Sequence, residues 1–287
     1  MRIRVKGTAV LAAFVLAASW LAAGPVRGQT PSASLFPAYT APRTADGKPN
    51  LNGIWQSFTT ANWDVLAHAA QPGPHPEVMG AWGAGPGGQS IVEGNEIPYQ
   101  PWAAAKKEEN FKNRMVVKTT NDPHRYDTGE PELQCYRPGV PRANYMPYPF
   151  QIFQTPDQIL IVYEFKGAIR SIYMNSKDEA PSDTWMGWSK GRWEGDTLVV
   201  DVTSFEGNTW FDRAGNFHSD KLHVIERYVP VTPNHLNYEV TIEDAEVFSR
   251  PWKMSMPIYR RLERNIRIAD YGCVAFLEQE EFGTTGK

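Results

Sequence analysis

Histidine, carboxylate and hydroxyl side chains crowd one stretch of the chain. Phe205-Glu206-Gly207-Asn208-Thr209-Trp210-Phe211-Asp212 runs on to Gly215, His218, Ser219, Asp220 and His223. A carboxylate beside an imidazole fixes the ring's tautomer and raises its basicity, so His218 with Asp212 reads as a general acid/base pair. The same Asn, Asp and Ser residues are equally suited to bonding their own backbone in a loop. A second charged set lies on period-two segments. Glu226 shares a face with Leu222, Val224 and Tyr228, where an unpaired carboxylate would hold its proton or require a cation. Arg170 alternates with Ile172 and Met174, and Arg260 with Met254, Met256 and Ile258, so either can face it. Such a pair is a buried structural ion pair or a pair orienting a substrate in a cavity. Glu226 with Arg170 is the pairing expected to supply interior orienting charges.

Nine of the ten tryptophans lie beyond residue 28, and most of their large apolar area belongs in a core. Trp82, in a Gly/Pro loop, and Trp188, on a mixed strand face, are placed to stack on a sugar or an aromatic ligand. Trp188, Trp210, Tyr173 and Tyr238 are the candidate ligand-contacting residues. No metal site and no cofactor is expected. His218 and His223 are five apart with no shared helical face, H-E-x-x-H is absent, and His124 stands alone. The chain has no G-x-S-x-G elbow, no phosphate-cradling loop and no G-x-G-x-x-G.

The elements that must position these groups follow from the hydrophobic pattern. Arg2, Arg4 and Lys6 precede an apolar run from Ala9 to Ala23 that ends in small residues before Gln29, the pattern of a secretory signal peptide over 1–28. Its removal leaves 25 basic against 32 acidic residues, a net charge of −7, in place of −3 for all 287 residues. An acidic chain without a block of like basic charge is a poor match for nucleic acid or anionic lipid. No other apolar run reaches membrane-spanning length, so no membrane insertion is expected after cleavage. Export permits Cys135 and Cys273 to pair in a disulfide, which would tie the entry of the β region to the chain's end; two separately buried thiols are the alternative.

Residues 29–149 read as an irregular wrapping segment. It holds a first strand near 51–58, a loop over 72–88 with ten Gly or Pro in seventeen residues, and one helix beginning at Pro101. From 150 to 265 the texture changes to strands near 150–154, 158–165, 168–174, 184–193, 197–203, 222–229, 235–243 and 253–262, punctuated by turn signals. Short hairpins between successive strands make an antiparallel meander. It is expected to close as a lipocalin-like barrel, with a β-sandwich as the alternative, in a single all-β domain. A two-residue turn at Gly195-Asp196 pairs Trp193 with Leu198, Gly191 with Val200 and Ser189 with Val202 on one face. On the other face it sets Lys190 opposite Asp201, the expected partner of that carboxylate.

Two resemblances add to this. Gly53-Ile54-Trp55 resembles the G-x-W signature of lipocalin-type barrels, which implies that the indole packs near a late arginine at the closed end, here Arg260, Arg261 or Arg264. More of the chain is similar to a group of secreted bacterial β-rich proteins. The likeness is carried by Cys135-x-x-Pro138-Gly139-x-Pro141-Arg142, Tyr163-Glu164, Arg170-x-Ile172-Tyr173, Gly191-x-Trp193-Glu194-Gly195-Asp196-Thr197-Leu198-Val199-Val200-Asp201, Thr209-Trp210-x-Asp212 and His218-Ser219-x-x-Leu222-His223-Val224-x-Glu226-Arg227. It implies a shared fold and export, and places a histidine where this chain has Trp188. The combined expectation is a periplasmic or secreted barrel that binds a small apolar or aromatic molecule. Metal-free acid/base chemistry of the isomerase, lyase or hydratase type would be its reaction. A non-catalytic carbohydrate-binding or envelope interaction protein is the alternative.

Overall fold

The computed structural model describes residues 39–73, 75–80, 83–115 and 129–274, all in one compact unit. Residues 1–28, where a signal peptide is expected, and Trp82 and His124 lie outside the described residues. The elements, in chain order, are β1 (Gly53–Ser57), β2 (Gln71–Pro72), β3 (Ala84–Gly85), α1 (Pro101–Asn113), β4 (Phe150–Gln154), β5 (Gln158–Tyr163), β6 (Ile169–Met174), β7 (Trp188–Glu194), β8 (Thr197–Thr203), β9 (His223–Thr232), β10 (His235–Glu243) and β11 (Trp252–Arg260). β2 and β3 form a two-stranded ladder inside the Gly/Pro loop, where no strand is expected from the pattern.

Nine strands close a barrel in the order β1-β11-β10-β9-β8-β7-β6-β5-β4, with β4 returning to β1. Closure leaves no open edge to template aggregation. The expected all-antiparallel meander needs one correction, and it follows from parity. A closed ring of nine strands cannot alternate direction throughout, and the one parallel pair is β6 with β7. The chain between them, Asn175 to Gly187, is thirteen residues, the length a parallel crossover requires. The sequence pattern assigns Thr184–Gly187 to β7, but these residues belong to that crossover.

Alternation along the strands fixes which side chains fill the barrel. On β10, Leu236, Tyr238, Val240 and Ile242 are buried between half-buried polar neighbours, and on β11 Met254, Met256 and Ile258 are buried between more exposed ones. The β7–β8 hairpin has the expected register throughout, Trp193 opposite Leu198 and Lys190 opposite Asp201. The ion pair across it differs. Asp201 is bonded by the longer Arg192 guanidinium reaching diagonally, and His223 Nε2 lies 3.3 Å from its other oxygen.

β1 supplies the strand that links β11 to β4, pairing Trp55 with Arg260 and with Phe150. The Arg260 guanidinium lies 4.2 Å from the Trp55 ring centroid and donates to Asn52 O at 2.5 Å, the packing that the G-x-W resemblance implies. Arg260 therefore does not face inward toward Glu226. Gly53 sits at φ +138, and a Cβ there would overlap Arg260 Nη1. Gly53→Ala is expected to lower stability by about 1–2 kcal/mol through backbone strain and displacement of that cation. Denaturant unfolding with an unchanged m-value checks this.

The wrapping segment is fastened in two places. Pro101 opens α1, and Asn110 on its buried face donates to Gly215 O at 3.2 Å, tying the helix to the 205–222 loop. Cys135 and Cys273 form a disulfide with their Cα atoms 5.8 Å apart. No helix among the described residues is long and apolar enough to cross a membrane.

Candidate functional site

Inside the barrel Glu226 is fully buried, and Arg170 on β6 supplies the cation expected for it. Arg170 Nη1 donates to Glu226 Oε1 at 3.1 Å and Nη2 bonds Oε2, while Nε donates to Ser189 Oγ at 2.9 Å. Asn144 Nδ2, Tyr228 OH and Tyr238 OH also donate to Glu226 Oε1, at 3.0, 3.1 and 2.6 Å. Tyr163 OH extends the network by donating to Asn144 Oδ1 at 2.9 Å. Burial, with the Glu226 charge beside them, holds the Tyr228 and Tyr238 hydroxyls well above the usual phenol range, so both stay protonated donors. The barrel centre is thus occupied by its own side chains. Tyr238 is buried with its hydroxyl committed to Glu226. Asn144 arrives from the wrapping segment, where no periodicity announces an inward residue.

The His218–Asp212 pair is not formed. His218 is buried against the Phe205 and Phe211 rings. Its Nδ1 lies 2.8 Å from Ser219 O, which only accepts, so Nδ1 carries the proton and Nε2 accepts from Thr209 Oγ1 at 2.7 Å. Burial lowers its pKa and keeps the ring neutral. Asp212 instead accepts from Val65 N, Ala214 N, Asn216 N and Asn216 Nδ2, at 2.9, 2.9, 3.2 and 2.6 Å. The competing loop-bonding reading describes both residues.

A recess of about 340 Å³ opens on the barrel wall between β6 and β7. Its cause is the parallel pair. β7 is in register only with Ile172, Tyr173 and Met174, so Ile169–Ser171 has no strand beside it on that side. The crossover residues Thr184–Gly187 roof the gap, held by Thr184 N to Ser204 O at 2.9 Å and Glu206 N to Thr184 O at 3.0 Å. Gly187 passes at φ +68, where a Cβ would stand 2.7 Å from Val202 Cγ1 and 2.8 Å from the Phe205 ring. Tyr173 and Trp188, two of the four sequence candidates, line the recess and stack on each other with centroids 4.5 Å apart and planes 27° apart. Trp210 and Tyr238 do not line it.

Charge is sparse but varied at this recess. Arg170 lies at its floor, Arg137 is an exposed cation without an ion pair among the described residues, and Glu206 faces both from the 204–206 turn. Partial burial, with Asp183 nearby, raises the Glu206 carboxyl from its usual range while Arg137 opposes the shift. Trp185 is also in the wall and packs 4.9 Å from the Tyr136 ring, one residue from the Cys135 disulfide. An aromatic wall with one unpaired cation at the rim suits a planar molecule carrying a polar group.

The wrapping segment meets the 205–222 loop at a second buried charge cluster that sequence reasoning misses. Arg142 donates to Asn62 Oδ1 at 2.8 Å, Glu130 Oε1 at 2.5 Å and Glu132 Oε2 at 2.9 Å, and Arg213 binds both Glu132 oxygens at 2.6 and 2.7 Å. Only the Pro141-Arg142 end of the shared motif hints at it. No grouping of three or more metal-ligating side chains occurs among the described residues. No model of a known protein family matches the chain, and no curated protein matches it.

Proposed function

We propose that the protein is an exported, periplasmic or secreted binding protein for a small aromatic or apolar molecule, held in the recess between β6 and β7. The observation that carries this reading is the Tyr173–Trp188 stack forming one wall of a recess in an otherwise closed barrel. Stacking on an indole is worth about 0.5–1.5 kcal/mol beyond simple area burial. Arg137 at the rim supplies a partner for a polar substituent. The disulfide and the basic-then-apolar start of the chain support the exported location. The filled barrel centre argues against a ligand enclosed there.

Native mass spectrometry of the protein recovered from its own envelope fraction tests the reading. A co-purifying small molecule is expected on the wild type and absent from Trp188→Ala, together with loss of residues 1–28. A ligand-free wild type, or equal retention by Trp188→Ala, overturns it. A bound sugar in place of an aromatic would support the carbohydrate-binding alternative instead.

A further inference from the structure

A separate cavity of about 240 Å³ lies between α1, the β2–β3 ladder and the 212–215 turn. Its walls are largely apolar, with Trp63, Phe111, Met115 and Leu133 among them, and two charged groups in the wall have something to spare. Asp64 Oδ1 accepts from Leu66 N at 2.9 Å and lies 3.5 Å from Asn216 Nδ2, but its Oδ2 has no partner among the described residues. Arg114 packs 4.0 Å over the Phe111 ring and donates to Phe111 O at 2.7 Å, with no carboxylate partner among the described residues. Arg213 and Glu130 are already engaged, with Glu132 and Arg142, and the wall also carries His68, whose Nδ1 lies 2.8 Å from Leu66 O and whose buried Nε2 has no hydrogen-bond partner among the described residues.

We propose that this cavity is a general-base site for a small planar C–H acid, an aromatic or carbonyl compound whose oxygen takes up negative charge as the proton leaves, with Asp64 as the base and Arg114 as the counter-charge. A carboxylate against apolar walls is a stronger base than one in water, and a cation lining the same cavity stabilises the developing oxyanion. Asp64 is supported from behind. Asn216 Nδ2 donates to Asp212 at 2.6 Å and also reaches Asp64, so the two carboxyls are linked through one amide. Burial raises the Asp64 carboxyl, against Leu66 N, Lys107, His68 and Asn216, which pull it down. Asp212 is pushed up to about 7 by burial and by the Asp64 charge, against Asn216, Val65 N and Arg142. The site is independent of the β6–β7 recess and of whatever binds there.

The probe is 5-nitrobenzisoxazole, a planar C–H acid that needs no co-reactant. Asp64 takes the C3 proton, the C–H electron pair completes the nitrile, and the N–O bond breaks with its pair leaving on oxygen as a phenolate facing Arg114. Asp64 then returns the proton to solvent. Saturable turnover above that of free acetate is expected from the whole protein. Asp64→Asn, which keeps the acceptor for Leu66 N, should lower kcat/KM about a hundredfold or more, and Arg114→Gln about tenfold. The wild-type rate should rise with pH through the joint ionisation of Asp64 and Asp212, above the ordinary aspartate range. Wild-type turnover equal to that of a folded Asp64→Asn variant, judged by its melting transition, overturns the proposal. So does an Arg114→Gln rate equal to wild type.

Discussion

Glu226→Gln is expected to destabilise the barrel by about 3–5 kcal/mol, the loss typical of breaking a buried ion pair. Glutamine keeps an acceptor for Tyr228, Tyr238 and Asn144, so the loss comes from Arg170, which is left buried with only the Ser189 and Tyr163 hydroxyls as other side-chain partners among the described residues. A guanidinium cannot shed its proton to escape this. Arg170→Met should cost less, because the substitution removes the cation outright and Glu226 still accepts from three neighbouring donors. That asymmetry is the discriminating result. Denaturant unfolding at pH 7 should show the larger loss for Glu226→Gln. Equal losses for the two variants would mean that the stranded guanidinium is not the source of the loss.

The two sides of this pair differ in how far the sequence announces them. Glu226 and Arg170 stand on strands whose alternation is unbroken, and a charged residue at an inward position of such a strand must find a partner. The hairpin at Gly195-Asp196 is legible for a related reason, since a two-residue turn leaves one register. Where the sequence misleads, the cause is distance. Asp201 takes Arg192 because side-chain reach, and not backbone opposition, decides an exposed ion pair. Arg260 leaves the inward series because β1, more than two hundred residues earlier, offers it an indole face. His218 and Asp212 are near in sequence, yet each finds a closer partner in the loop or across it. Asn144, Arg142, Asp64 and Arg114 lie in segments with no period to read, and their roles arise only when those segments fold onto the barrel. The recess has a similar origin. Nothing local in Asn175–Gly187 marks a parallel crossover, but once β1 enters the ring as the ninth strand a parallel seam is unavoidable.

Arg142→Met should produce the other large loss, and should also make stability rise more steeply as pH falls. In the wild type burial alone would raise Glu132, but Arg213 and Arg142 beside it and the Asn62 hydrogen bond hold it down to about 2. A carboxyl whose folded pKa lies below its unfolded value of about 4.3 contributes stability above that value and loses it as pH falls toward 2. Glu130 behaves oppositely, since burial raises it even with Arg142 attached, and the Glu132 charge adds to the rise. Removing Arg142 leaves Glu130 without its 2.5 Å partner and two buried carboxylates facing each other, a loss of about 3–5 kcal/mol at pH 7. The folded variant can relieve this by binding a proton at Glu130, so between pH 7 and pH 5 its stability should rise as pH falls. Over the same interval Glu130 gives the wild type a smaller gain of the same sign, because Arg142 opposes its rise, and Glu132 gives none, because its carboxylate remains ionised in the fold. Thermal melts of both proteins across that interval, with the Cys135–Cys273 disulfide intact, measure the difference. Parallel curves would mean that Arg142 does not neutralise Glu130, and that the wrapping segment is held to the barrel by packing and the disulfide alone.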